Sequence, residues 1–232
     1  MAPKVLVVLT SCGFNEITNK PTGWYLPEFS HPYEILASKG VEFVTASPKG
    51  GVAPVDPSSV EKYQDAAPSS SFYKTQSALW KNTAPISSFL GRSSEFAALY
   101  YPGGHGPMFD LVGDDDSIAL ITEFVQAGKP VAAVCHGPIV FTDILLPPEG
   151  RHILMGKEIT GFSNEEEEGL GMLDDLPFLL EDRIKEAGGQ YKKAPKPWEP
   201  FVVVDDDGKF ITGQNPDSSK GVGEALAKAI GL

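Results

Sequence analysis

The sequence predicts an α/β fold, with a mainly parallel sheet covered by helices. Three observations point to it. Apolar runs of strand length recur at Val5 to Leu9, Val41 to Ala46, Phe96 to Tyr101 and Val131 to Val134. Segments with helical spacing separate these runs, and Gly40 and Gly128 close two of those segments. The alternation of run and helix is the pattern of βαβ units.

Each element has its own signal. Val5 to Leu9 is apolar without interruption, as expected of a strand buried on both faces. Pro32 to Lys39 carries helical spacing and stops at Gly40. Val41 to Ala46 is the second strand, and Phe96 to Tyr101 the third, ending in Pro102-Gly103-Gly104-His105-Gly106. Ser117 to Ala127 is an amphipathic helix closed by Gly128. Val131 to Val134 is a short strand that runs into Cys135-His136-Gly137, after which Pro138 opens a helix. Phe201 to Val204 and Lys209 to Thr212 flank Asp205-Asp206-Asp207-Gly208 and read as a hairpin. Gly223 to Ile230 is the C-terminal helix. Two stretches break the alternation. Pro48 to Gly91 is rich in Pro, Ser and Lys with scattered aromatics, and Phe162 to Gly189 holds an acidic run and then a helical pattern. Both are expected to be insertions, around 48–91 and 162–189, on one domain spanning 1–232.

The 232 residues suffice for one large core. A net charge of −12 argues against a nucleic-acid or anionic-membrane partner, either of which calls for a basic patch. No apolar run approaches the roughly 20 residues of a membrane span. The chain enters its first strand-like run without the hydrophobic region of a signal peptide. Cys12 and Cys135 are too few for a disulfide framework in a chain this long. The expectation is a cytosolic protein.

The chemistry centres on Cys135. A free cysteine is usually a small buried hydrophobe, but His136 and Gly137 are poor residues for continuing a buried strand. Strand, sharp turn and helix make an elbow that presents the thiol at a sheet edge, with helix N–H groups aimed at it. That field favours thiolate, so Cys135 is read as a nucleophile. His136 is read as its acid or base, oriented by a carboxylate. Gly103-Gly104-His105-Gly106 fails the dinucleotide-binding spacing. A turn whose N–H groups stabilise an oxyanion and a plain tight turn are equally compatible with it. Glu28 opens the first helical segment, where the plain reading is a carboxylate favoured by the helix dipole; its neighbours Trp24, Tyr25, Leu26 and Phe29 offer the alternative of a carboxyl with a raised pKa, suited to proton transfer. In Glu165 to Glu168, Ser163 and Glu166 have capping-box spacing, and most of the run should be solvated. One member could reach His136, and spacing does not say which. The four histidines form no close-spaced ligand pair with the cysteines, so no metal is expected. Cys12 reads as a plain strand-end residue, with a resolving thiol as the alternative.

Three motifs, Ala132-Ala133-Val134-Cys135-His136-Gly137-Pro138, Tyr101-Pro102-Gly103-Gly104-His105-Gly106 and Leu26-Pro27-Glu28-x-x-His31-Pro32, resemble the ThiJ/PfpI superfamily. They are most similar to its fungal heat-shock chaperone and glyoxalase III branch. Lys157-x-Ile159-Thr160-Gly161-Phe162 and Thr212-Gly213-Gln214-Asn215-Pro216-x-Ser218-Ser219 add to the resemblance, which runs from Lys4 to the C-terminal helix. It implies a flavodoxin-like three-layer sandwich with a small added cap, a homodimer, and a cytoplasmic protein with the nucleus as a second compartment. It also implies a glutathione-independent glyoxalase, a carbon–oxygen lyase, that converts methylglyoxal, a small 2-oxoaldehyde, to D-lactate without a cofactor. By position, Cys135 is then the nucleophile, His136 its partner, Glu28 the acid/base carboxyl and Glu167 the third triad member. Gly103, Gly104 and His105 line the oxyanion and substrate site. Two other classes remain open: a redox-sensing stress protein or holdase, and a cysteine amidase or peptidase. A binding module with an unused pocket is the blandest reading.

Overall fold

Uninterrupted apolar runs become the strands of one sheet in the computed structural model, which describes residues 2–232. The strands are β1 (Lys4–Val8), β2 (Glu42–Ser47), β3 (Ala84–Pro85), β4 (Ala98–Tyr101), β5 (Val131–Val134), β6 (Val202–Asp205) and β7 (Phe210–Gly213). Their order is β6-β7-β5-β4-β1-β2-β3. Every neighbouring pair is parallel except β6–β7, the expected hairpin, in which Val203 faces Thr212. Val5 to Val8, β4 and β5 are buried, as continuous apolar strands at a sheet centre should be. Edge strand β6 leaves Val204 exposed.

The α-helices longer than four residues are α1 (Leu26–Ser38), α2 (Pro57–Tyr63), α3 (Ser69–Thr75), α4 (Asp115–Gln126), α5 (Asn164–Leu170), α6 (Leu180–Glu186) and α7 (Ser219–Ala229). The crossover from β1 to β2 steps one way along the sheet, and that from β4 to β5 steps the other way. Right-handed crossovers therefore place α1 and α4 on opposite faces, which gives the flavodoxin-like α/β sandwich. The point of reversal lies between β1 and β4, where such sheets open a crevice at their carboxyl ends. Helix α7 packs along α1. Gly223 permits this, since a Cβ there would stand 2.8 Å from Pro32 Cα.

Two expectations needed correction. Helix α1 begins at Leu26, not Pro32, because Pro27 fits the first turn and Pro32 is tolerated inside. Pro32 has no N–H for the Glu28 carbonyl four residues back. The Tyr100 hydroxyl, from β4, donates to that carbonyl instead. The segment opened by Pro138 is a buried 3₁₀ turn, Gly137–Phe141, too short for the expected helix. Residues 48–91, expected as an insertion on the core, also extend the main sheet. They supply α2, α3 and edge strand β3, and Phe72 and Trp80 pack with Trp24 and Phe29 at ring-centre distances of 5.0–5.9 Å. Residues 162–189 form α5 and α6, joined through a short 3₁₀ turn. Among the described residues no helix is long and apolar enough to cross a membrane.

Candidate active site

The carboxyl ends of β4 and β5 come unusually close. A Cβ on Gly103 would lie 2.5 Å from the Val134 carbonyl, and one on Gly137 would lie 2.5 Å from the Tyr101 carbonyl. Only glycine fits at either place. Between these contacts Cys135 takes a φ of 60°, a left-handed conformation that costs a non-glycine residue about 1–3 kcal/mol. Its peptide groups hold it there. The Cys135 N–H donates to the Gly213 carbonyl at 2.9 Å, and its carbonyl accepts from the Phe162 N–H at 2.9 Å. The strand-to-turn elbow is therefore present, braced by β7 and by the segment leading into α5.

Glu28 approaches the sulfur from the first turn of α1 and is fully buried. Its Oε2 accepts from the Gly103 N–H at 2.7 Å. Burial raises its carboxyl to about 8, against smaller opposing effects of Cys135 and Gly103. Oε1 is buried without a conventional partner. A carboxyl that keeps its proton resolves this by directing it at the sulfur. The expected oxyanion role of Gly103 is corrected here, because its N–H is committed to Glu28. The Gly104 N–H lies near enough to the sulfur to favour its charged form.

His136 lies on the other side of the thiol. Its Nδ1 stands 3.3 Å from Cys135 Sγ, and its Nε2 stands 2.5 Å from Glu167 Oε1. Burial holds this imidazole below its usual pKa, so it rests neutral, and the neighbouring His105 adds to the effect. Burial alone would raise Glu167, but the two histidines bring it down to about 2. A charged carboxylate behind a neutral imidazole is the arrangement that stabilises an imidazolium formed during reaction. His105 also reaches Glu167 Oε1, at 3.1 Å, and its ring packs on His136 with centres 4.4 Å apart.

The glutamate run divides by the geometry of α5. Glu166 and Glu167 are buried while Glu165 and Glu168 face solvent, so the run is only half solvated. Glu166 closes a capping box with Ser163 and accepts from Gln214 and Asn215, both at 2.9 Å. Glu167, the next residue, is thereby aimed at His136. Gln214 and Asn215 were visible as a motif, but their service to Glu166 was not.

The thiol itself differs from expectation. Burial raises it well above its usual pKa, and a charged Glu28 raises it further. With only a short 3₁₀ turn beyond it, no long helix offsets that cost. The resting sulfur is therefore a thiol, and its proton leaves as the bond to substrate forms. Cys12 accepts no such role. Its Sγ–H is directed at the Phe14 carbonyl, and it is absent from the walls around Cys135.

A cleft of about 640 Å³ opens onto Cys135, Glu28 and His136. Tyr25, Tyr63, Phe162 and Trp198 form an aromatic wall. Tyr63 comes from the 48–91 stretch, where nothing in the sequence singled it out. Residues 22–229 match the DJ-1/PfpI family. The chain belongs to that family. It is 30% identical over 237 residues to Glyoxalase 3 of Candida albicans, with 98% of each chain covered. It is 30% identical to the glutathione-independent glyoxalase HSP31 of Saccharomyces cerevisiae, with 94% of each covered. The crystal structure of glyoxalase III from Candida albicans superposes with a TM-score of 0.87 at 29% identity, over 98% of this chain and 97% of that one.

Proposed function

We propose that this family member is a glutathione-independent glyoxalase that converts methylglyoxal to D-lactate on Cys135. One observation carries the reading: a single sulfur lies between a buried, protonated carboxyl and a neutral imidazole backed by a carboxylate. Acyl transfer needs only the imidazole side. Moving a proton between neighbouring carbons needs a second acid/base, and Glu28 supplies it.

The sulfur attacks the aldehyde carbon as its proton passes to His136 Nδ1. Glu28 gives its proton to the aldehyde oxygen, completing a hemithioacetal, and becomes the carboxylate. The Gly104 N–H supports the oxygen while charge develops on it. Glu28 then removes the hydrogen of that carbon, and the electron pair forms a carbon–carbon double bond. The ketone oxygen takes the proton held by His136, giving an enediol. Glu28 returns its proton to the second carbon from one face, which sets the D configuration. The first hydroxyl loses its proton to His136, leaving a thioester. Water, deprotonated by the Glu28 carboxylate, attacks the thioester, and His136 returns its proton to the departing sulfur, which releases lactate and restores the thiol. The sum is methylglyoxal plus water to lactate plus a proton.

The raised thiol favours this reading over a redox sensor, whose sulfur needs thiolate character for oxidation. A homodimer and a cytoplasmic location belong to the same proposal and are tested by sedimentation and fractionation. The test of function is stereospecific assay of D-lactate from methylglyoxal with glutathione absent. The parent protein should turn over and Cys135→Ala should fall to the uncatalysed rate. Equal rates from both, or formation of L-lactate, would overturn the reading.

A further inference from the structure

The triad needs one imidazole on Glu167, yet two are present. One ring nitrogen each of His105 and His136 and a carboxylate oxygen of Glu167 all lie within 4.8 Å of one another, and both rings present Nε2 to Glu167. Glu167 Oε2 is buried and has no hydrogen-bond partner, while Oε1 alone serves both rings. We propose that His105, His136 and Glu167 form a binding site for a first-row divalent cation of zinc-like character, and that an occupied site switches the enzyme off.

The donor set argues for that class of ion. Two imidazoles and one carboxylate suit Zn²⁺, Co²⁺ or Fe²⁺, whereas Mg²⁺ and Ca²⁺ take oxygen ligands. A cation about 2.1 Å from each donor bridges donors up to about 4.2 Å apart. The side chains must therefore draw together by about half an ångström at the widest pair. His105, the only partly exposed member, has room to move. It also lines the cleft, so remaining coordination positions are open to water. Bringing the ion in breaks the hydrogen bonds to Oε1 and gives the orphaned Oε2 a partner.

The geometry also says which atom stays out. Cys135 Sγ faces His136 Nδ1, on the opposite edge of the ring from Nε2. The sulfur is thus not a ligand. A cation on Nε2 leaves Nδ1 carrying the proton and pointing at the sulfur. His136 is then unable to accept the thiol proton, and turnover stops with the thiol still free. The inhibition rests on the glyoxalase reading, whereas the binding does not.

Equilibrium dialysis with Zn²⁺, paired with iodoacetamide labelling of Cys135, tests both parts. The parent should retain about one ion per chain, and His105→Gln and Glu167→Gln should each bind at least about tenfold more weakly. Cys135→Ser should bind like the parent. Zinc-loaded parent should lose D-lactate production while Cys135 still reacts with iodoacetamide. Co²⁺ in place of Zn²⁺ should show no thiolate charge-transfer absorption. The site is overturned if the parent retains no zinc. It is equally overturned if Cys135→Ser abolishes retention, or if both Gln variants, with unchanged melting, bind as the parent does. Should the parent make no D-lactate at all, the glyoxalase reading fails and dialysis still decides the site.

Discussion

Glu28 and Cys135 compete for protons in one buried place, and their titration is a property of the pair. Glu28 moves from an ordinary 4.5 to about 8 on folding. The folded state then holds more protons than the unfolded one across that interval. Its contribution to stability is complete below the lower value and is lost as pH rises to the upper one. Glu167 has the opposite sign, since its carboxyl drops to about 2. Its contribution is present above 4.5 and disappears as pH falls toward 2. Glu28→Gln removes only the first effect. Its melting temperature relative to the parent should climb by a few degrees between pH 5 and pH 8, measured by calorimetry. The same variant removes the charge that raises Cys135, so the iodoacetamide reaction should reach its midpoint at lower pH than in the parent. D-lactate turnover should fall about a hundredfold or more, because the proton carrier is gone. Cys135, His136 and Glu28 were legible because each stands where an apolar pattern stops or a polar group interrupts it. The protonation state of the sulfur was not, since burial is set by elements distant in the chain. Glu167 was reached through family resemblance alone, as four consecutive glutamates give no local means of choosing.

Elements differ from their local signals where another element supplies a missing bond. Helix α1 tolerates Pro32 because Tyr100 of β4 satisfies the Glu28 carbonyl. Tyr100→Phe should leave that buried carbonyl unpaired and cost about 1–3 kcal/mol, read as a lower urea midpoint. Adding Pro32→Ala restores an N–H four residues on and should recover part of the loss. If Tyr100→Phe is neutral, or the double variant gains nothing, the bond does not brace the helix. Apart from β3, the strands of the main sheet and the hairpin were readable from apolar runs and turn residues, to within a residue or two. The segment after Cys135 was misjudged because Pro138 starts a 3₁₀ turn as well as an α-helix. All five of its residues are buried.

At the scale of the whole molecule, reversal of strand order between β1 and β4 opens the crevice, and two glycines let β4 and β5 close on it. The outer layer depends on a similar contact, Gly223 of α7 against Pro32 of α1. Gly223→Ala forces these helices apart and should cost about 1–3 kcal/mol by urea titration, with turnover per folded molecule unchanged. The parallel sheet covered by helices followed from alternation of run and helix, and its flavodoxin-like layering from family resemblance. The contribution of residues 48–91 did not, because its aromatics have no period and are assembled by packing on Trp24, Phe29, Tyr33 and Tyr25. The central claim, that Cys135 carries the substrate as a hemithioacetal which Glu28 then deprotonates, is open to direct observation. Methylglyoxal labelled with ¹³C at the aldehyde carbon is added to Glu28→Gln, in which the thiol proton held by His136 completes the hemithioacetal but no base removes the hydrogen of that carbon, and the carbon spectrum is recorded. The account predicts a protein-bound hemithioacetal resonance that vanishes when Cys135→Ala is added. An identical spectrum with and without the sulfur would contradict it.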